Sequence, residues 1–251
     1  MKGVLELVNN IPLVTIIIPF YNCNFISHAI NSVLRQTYKQ IEIILVNDGS
    51  SEEYKNQLNP YLSKITYIEQ TNQGVAAALN QGLKHANGDY VAWLSSDDLF
   101  DNKKIEVQLE YMLENQLDIS FTNFNHINEN GLITNHNVGK VFANPLEVVE
   151  TMKSFCPING CTVMMSRKVW ETVGDFDVKL KYVQDYDYWI RTSFQFPIHY
   201  LHSTLTNYRV HRNMGTKKHY KDQMKEFYHI REKYRVELDL LLSRLRGESD
   251  V

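Results

Sequence analysis

Asp97 and Asp98 close an apolar run, Tyr90–Leu94, and are reached from it through Ser95 and Ser96. Upstream, a second apolar run, Ile41–Val46, ends in Asn47-Asp48-Gly49-Ser50-Ser51. Strands that twice deliver carboxylates to their C-terminal ends describe the edge at which open parallel α/β sheets bind ligands. Hard oxygen donors at that edge suit Mg²⁺ or Mn²⁺ and the phosphates those ions carry. The competing reading is local: Asp97 and Asp98 cap a helix that begins near Lys103.

The elements that must position these acids follow from hydrophobic period. Val14–Phe20 is a β-branched run with Pro19 near its end, the pattern of a strand buried on both faces. Ile26, Ala29, Ile30, Val33 and Leu34 recur at helical spacing. Strand Ile41–Val46 and a short polar helix after Ser51 come next. They are followed by strand Ile65–Glu69, helix Val75–His85 ended by Asn87-Gly88, and strand Tyr90–Leu94. This alternation predicts an α/β fold with one doubly wound, mostly parallel sheet flanked by helices. Beyond it, the spacing predicts a helix over Lys103–Glu114 and a strand over Ile119–Phe124. A hairpin or ordered loop spans Asn125–Lys140, with a strand over Cys161–Ser166 and helices over Lys168–Val173 and Tyr186–Phe196.

Composition narrows the classes. The 251 residues are enough for one large core with a small appendage, and a net charge of −3 gives no support to a nucleic-acid partner. No apolar stretch approaches the roughly 20 residues of a membrane span, and the first twelve residues lack a signal-peptide pattern. Cys23, Cys156 and Cys161 form no CxxC pair. The expectation is a cytoplasmic protein. Glycine phosphate loops of the GxGxxG and GxxxxGK[ST] kinds are absent, as are zinc spacings and a GxSxG elbow. A metal at the acidic edge must then hold any phosphates.

Several motifs occur in order: Val-Thr-Ile-Ile-Ile-Pro-Phe-Tyr-Asn (14–22), Asn-Ser-Val-Leu-Arg-Gln-Thr-Tyr (31–38), Ile-Leu-Val-Asn-Asp-Gly-Ser (44–50) and Asn-Gln-Gly-Val-Ala-Ala-Ala-Leu-Asn-Gln-Gly (72–82). They are followed by Gly-Asp-Tyr-Val-Ala-Trp-Leu-Ser-Ser-Asp-Asp (88–98), Gly-Asp-Phe-Asp (174–177) and Gln-Asp-Tyr-Asp-Tyr-Trp-Ile-Arg (184–191). From about Val14 to Thr216 the chain resembles a family 2 glycosyltransferase of the GT-A fold. The resemblance implies an inverting transfer from a nucleotide-diphosphate sugar, most simply a UDP-sugar, to a hydroxyl of a glycan or lipid-linked acceptor. It implies that Pro19, Phe20 and Tyr21 form the turn that packs on the nucleobase and that Asp48 hydrogen-bonds the base. Ser96 falls among the nucleotide contacts, Asp97 is the metal ligand, and His211 completes the metal or diphosphate site. Asp185 is the general base, for which an aspartate of ordinary pKa suffices. A divalent Mn²⁺ or Mg²⁺ is the implied cofactor.

The chain departs from the family pattern at three places. Ser95 replaces the first acid of Asp-x-Asp, Gln184 the first acid of Glu-Asp, and Leu79 an expected arginine. Two alternatives stay open: a relative that binds nucleotide-sugar or glycan without transfer, and a nucleotidyltransferase, which would want a basic, glycine-rich loop where Asn22–Ser27 stands. Asp185 and Asp187 also suit the positive end of a helix dipole without any chemistry. Trp93 and Trp189 read first as core residues.

The expected domains are a GT-A unit, 1–216, and a helical extension, 217–251. From 217 to 246 the extension carries nine Lys/Arg against five acids, with apolar positions from Met224 to Leu245 at helical spacing. Such a helix either contacts a second copy or the anionic inner face of a membrane, or folds back and buries Phe227, Tyr234 and Leu238.

Overall fold

The computed structural model describes residues 11–212, 214 and 219–247. The chain runs β1 (Val14–Phe20), α1 (Ile26–Leu34), β2 (Ile41–Asp48), α2 (Glu52–Lys55), β3 (Thr66–Gln70), α3 (Val75–His85), β4 (Tyr90–Trp93) and β5 (Leu99–Phe100). It continues through α4 (Lys104–Glu114), β6 (Ile119–Ile127), β7 (Ile133–Asn135), α5 (Pro145–Met152), β8 (Met164–Ser166) and α6 (Arg167–Val173). Then come α7 (Gln184–Ser193), β9 (His199–Arg209), α8 (Tyr220–Lys233) and α9 (Arg235–Arg246). The sheet order is β3-β2-β1-β4-β8-β6-β9-β5, with β7 beside β6. The first four strands in that order are parallel, and β6 is parallel to β9. Strands β5, β7 and β8 join antiparallel.

Burial on both faces follows residue by residue. Val14, Ile16, Ile18 and Phe20 of β1 and Ile43 and Leu45 of β2 pack with α1 and α4. Their alternates Ile17, Ile44 and Val46 pack with α3, α6 and α7 on the other face. The two-residue period of a strand sends successive side chains to opposite layers, so a continuous apolar run is what a doubly covered strand requires. Helix α3 lies so close to β1 that a Cβ on Gly82 would stand 2.4 Å from Ile17 Cγ2.

The stretch Asn125–Lys140 does hold a hairpin, β6–β7. Two expectations are corrected. Cys161–Ser166 is a single 3-10 turn, Gly160–Thr162, followed by a strand of only three residues. The C-terminal segment is two helices, α8 and α9, that meet at Tyr234; the expected start at Lys217 lies outside the described residues, as do most of the first twelve residues. Ile230, Tyr234, Leu238, Leu241 and Leu242 belong to the same core as α5 and α7, with Phe227 packed against it. Elements β5, α5 and β9 were not anticipated from sequence. Among the described residues no helix is long and apolar enough to cross a membrane.

Candidate active site

Because β2, β1 and β4 are neighbours in parallel register, their C-terminal ends present Asp48, the turn after Phe20, and the Ser95–Asp97 segment side by side. The loops are laced together. Asn22, at φ +43, accepts the Ser51 N–H at its side-chain oxygen (2.9 Å), and Ser50 Oγ accepts the Asn22 N–H (3.0 Å). Asn47 Oδ1 accepts the Ser50 N–H at 2.9 Å. Cys23 Sγ reaches the Ser96 carbonyl at 3.4 Å, tying the turn after β1 to the end of β4.

Asp48 is buried and accepts three hydrogen bonds, from Gln70 Nε2 (2.7 Å) and from the Gln73 and Gly74 amides (2.8 Å each). A carboxylate has about four lone-pair sites, so one remains for a ligand. The Phe20 ring lies in the core, 1% exposed, and presents no face to a base; Pro19 is also buried, and of the three turn residues only Tyr21 is exposed, at 52%.

Asp97 and Asp98 diverge completely. Asp98 is buried, accepting the Arg209 N–H at 2.8 Å and facing Cys161 Sγ at 3.3 Å. Burial and the neighbouring Asp97 charge push its carboxyl well above the usual range. It caps nothing: the residue that receives the Lys103 N–H ahead of α4 is Asp101. Asp97 stays partly exposed, and its Oδ2 lies 2.9 Å from His211 Nε2. Arg209, fully buried, donates from Nε to the Asp97 carbonyl (2.7 Å) and from Nη1 to the carbonyls of Asn128 and Glu129 (2.9 and 3.0 Å). Its guanidinium also lies 4.4 Å from the centre of the Phe25 ring, which meets the His211 ring edge-on at 5.3 Å.

Asp97 opens onto a cleft of about 890 Å³ that is also lined by Trp93, Ser95, Gln184, Asp185 and Tyr186. Asp185 begins α7. Burial lifts its carboxyl to about 6, against the opposing pull of the backbone amides of Tyr186 and of Asp185 itself. Asp187 plays a structural part. Only 1% exposed, it accepts from Arg191 Nε (2.8 Å), Tyr234 OH (2.8 Å) and Lys233 Nζ (3.1 Å). Trp189 is core, whereas Trp93 forms cleft wall.

Sequence reasoning missed Arg209, Cys161 and the part of α8 that lines the cleft through Gln223, Met224, Phe227, Tyr228 and Arg231. The available signal for Arg209 was a cation two positions before His211. Ser95, standing where a carboxylate was expected, has its Oγ 3.1 Å from Cys161 Sγ. No group of three or more His, Cys, Asp or Glu that could hold a metal occurs among the described residues. Asp97 and His211 supply one oxygen and one nitrogen donor; the carboxylate suits either Mg²⁺ or Mn²⁺ with phosphate oxygens completing the shell, and the imidazole favours Mn²⁺ of the two.

The sequence matches the profile of Glycosyl transferase family 2 over residues 15–174. The chain belongs to this family. An uncharacterized glycosyltransferase of Rickettsia conorii is 38% identical over 215 residues, covering 82% of this chain and 35% of the relative. The Escherichia coli UDP-Glc:α-D-GlcNAc-diphosphoundecaprenol β-1,3-glucosyltransferase WfgD is 33% identical over 183 residues, covering 71% and 68%. The chain spans between about a third and two thirds of the Rickettsia relatives it matches. Among solved structures, S. aureus TarS residues 1–349 in complex with UDP-GlcNAc superposes with a TM-score of 0.69 at 15% identity, covering 94% of this chain and 72% of that one. The Pyrobaculum calidifontis mannosyltransferase in complex with GDP-Man and Mn²⁺ gives 0.67 at 15%, covering 90% and 64%. These likenesses place the fold with the GT-A transferases.

Proposed function

We propose that this family 2 member is an inverting glycosyltransferase, moving a sugar from a UDP-sugar to a hydroxyl of a glycan or lipid-linked acceptor. The observation that carries the reading is the cleft in which Asp97 and an Asp185 held near pKa 6 face the same space. Asp48 and Asp97 stand at the ends of strands two places apart, about 10 Å at the usual strand spacing, a span that suits a nucleoside between base contact and diphosphate. The UDP-Glc donor in the name of WfgD and the UDP-GlcNAc bound to TarS support a uridine donor; the acceptor in the WfgD name supports a lipid-linked one.

In this reading Tyr21 and the free lone pair of Asp48 receive the base. Ser96 lies on the path from the base to the diphosphate. Asp97 and His211 would hold a divalent cation, Mn²⁺ or Mg²⁺, which when bound neutralises charge on the departing diphosphate. Asp185 removes the proton of the acceptor hydroxyl while that oxygen bonds to the anomeric carbon on the face opposite the breaking bond to the diphosphate oxygen. The products are the inverted glycoside, the nucleoside diphosphate and a proton on Asp185. A carboxyl titrating near 6 is ionised at neutral pH yet more basic than a free aspartate, which suits general-base work.

A panel of UDP- and GDP-sugars, assayed for nucleotide release with Mn²⁺ and with chelator, tests this reading, and product stereochemistry follows by NMR. Ser95, paired with Cys161 in place of a second carboxylate, favours the alternative of a silent binder; metal-dependent UDP binding with no release from any donor would establish that alternative.

A further inference from the structure

The C-terminal helix α8 is the far wall of the cleft, and its position is fixed from several directions. Phe227 stacks on Tyr186 at 5.0 Å between ring centres. The Glu226 carboxylate accepts the amides of Lys181 and Tyr182 (3.1 and 2.8 Å), the residues that lead into the Asp185 helix. Lys233 and Tyr234 bind Asp187, two residues beyond Asp185.

This wall is cationic. Arg231 and Lys181 both line the cleft and are exposed, and neither forms an ion pair with a carboxylate among the described residues. Arg231 lies over the Tyr228 ring, 5.3 Å from its centre. Burial pushes the Tyr186 phenol up, and the Arg231 charge pulls against that rise. Lys140 adds a third cation to the lining, bonded to Thr151 Oγ1. The acids on the described lining are Asp97 and Asp185, both already assigned to donor and base. Beside the cations stand exposed apolar side chains: Tyr228 at 53%, Phe155 at 46% and Val138 at 38%. Gln184, 6% exposed, keeps Oε1 buried and without a hydrogen-bond partner at the same cleft. An unpartnered buried carbonyl oxygen is costly unless a ligand donates to it.

We propose that Arg231 and Lys181 bind a phosphate or diphosphate group on the acceptor, so that α8 is the acceptor-recognition wall of the active site. Arginine presents a planar fork of donors matched to phosphate oxygens, and stacking on Tyr228 pre-orients it. The donor's own diphosphate belongs at Asp97 and His211, whereas Arg231 acts on Tyr186, the neighbour of the proposed base. Gln184 Oε1 accepts from an acceptor hydroxyl held beside Asp185. The apolar rim at Phe155, Tyr228 and Val138 lies where a hydrocarbon attached to that phosphate would leave the cleft. This inference rests on the transferase reading of the site.

Calorimetry on the wild-type protein and Arg231→Ala separates the two. UDP with Mn²⁺ is titrated first; failure of the wild type to bind it overturns the transferase reading itself. Pyrophosphate and a long-chain alkyl diphosphate are then titrated into the UDP-loaded protein. The wild type binds both. Arg231→Ala binds them about tenfold more weakly, the scale of one lost charge-assisted contact, with unchanged UDP affinity and melting temperature. Arg231→Lys falls between. A gain in affinity from the alkyl chain identifies a lipid carrier as the source of the phosphate; equal affinity identifies a soluble sugar phosphate. Absence of pyrophosphate binding to the UDP-loaded wild type, or equal binding by Arg231→Ala, overturns the proposal.

Discussion

His211 Nε2 lies 2.9 Å from Asp97 Oδ2 although 114 residues separate them in the chain. Strand β9 brings the pair together, because the Arg209 amide at its end bonds Asp98 and the Arg209 guanidinium bonds the Asp97 carbonyl. If this pair holds the cation, Asp97→Ala weakens Mn²⁺-dependent UDP binding by about 100-fold, and His211→Ala by about tenfold. Uridine without phosphate binds all three proteins equally. Metal-independent UDP affinity in the wild type removes Asp97 from the metal site.

Asp185→Asn keeps the shape of the side chain and removes the base. Transfer falls by about 10²–10⁴-fold while donor affinity stays within twofold. In the wild type, kcat/KM falls as pH drops through about 6, because a protonated Asp185 cannot accept the acceptor's proton. An acidic limb near 4 excludes it as the titrating base.

The same carboxyl makes a stability prediction. Its folded pKa, about 6, is above the ordinary 3.8, so the unfolded chain ionises first as pH rises. The folded state therefore loses up to about 3 kcal/mol between pH 4 and 6, and that loss persists above 6. Asp185→Asn melts at a higher temperature than the wild type at pH 7.5 and at the same temperature near pH 4. Equal melting at both values refutes the burial effect.

Asp187 carries the opposite sign. Burial works against its charge, but hydrogen bonds from Arg191, Tyr234 and Lys233 hold its carboxyl below the usual range. Its contribution is present at neutral pH and disappears as pH falls through that lowered value. Asp187→Ala costs about 3 kcal/mol at pH 7 in chemical denaturation and leaves UDP affinity intact. Truncation after Thr216 goes further, removing Ile230, Tyr234, Leu238, Leu241 and Leu242 from the core; the fragment is expected to be insoluble. A soluble, folded fragment would show that α8 and α9 are an appendage.

A Cβ at position 160 would stand 2.2 Å from Trp93 Cζ3. Gly160→Ala must displace the indole, at a cost of about 1–3 kcal/mol. The expected readout is a shift in tryptophan emission with weaker acceptor binding and unchanged UDP binding.

The first hundred residues were legible from sequence because their structure is written locally. Short β-branched runs, such as Val14–Phe20 and Ile43–Val46, read as strands in a covered parallel sheet, and the order of turns placed Asp48 and Asp97 on one edge. Residues 125–247 were less legible. Strand β9 is half-exposed, with a pattern interrupted at His202 and Ser203, and it is recognised as a strand only by pairing with β6 and β5. The composition of α8 and α9 fits a surface anchor as well as a helix folded home; only the contacts with Tyr186, Asp187 and the residues before Asp185 show that the segment packs against α7. The resemblance singled out Asp97 from Asp98, but the pattern of residues held no physical reason for the difference. The tertiary structure supplies it, because charge depends on solvation: one carboxylate reaches the cleft beside His211, and its neighbour is sealed beneath Arg209 and Cys161.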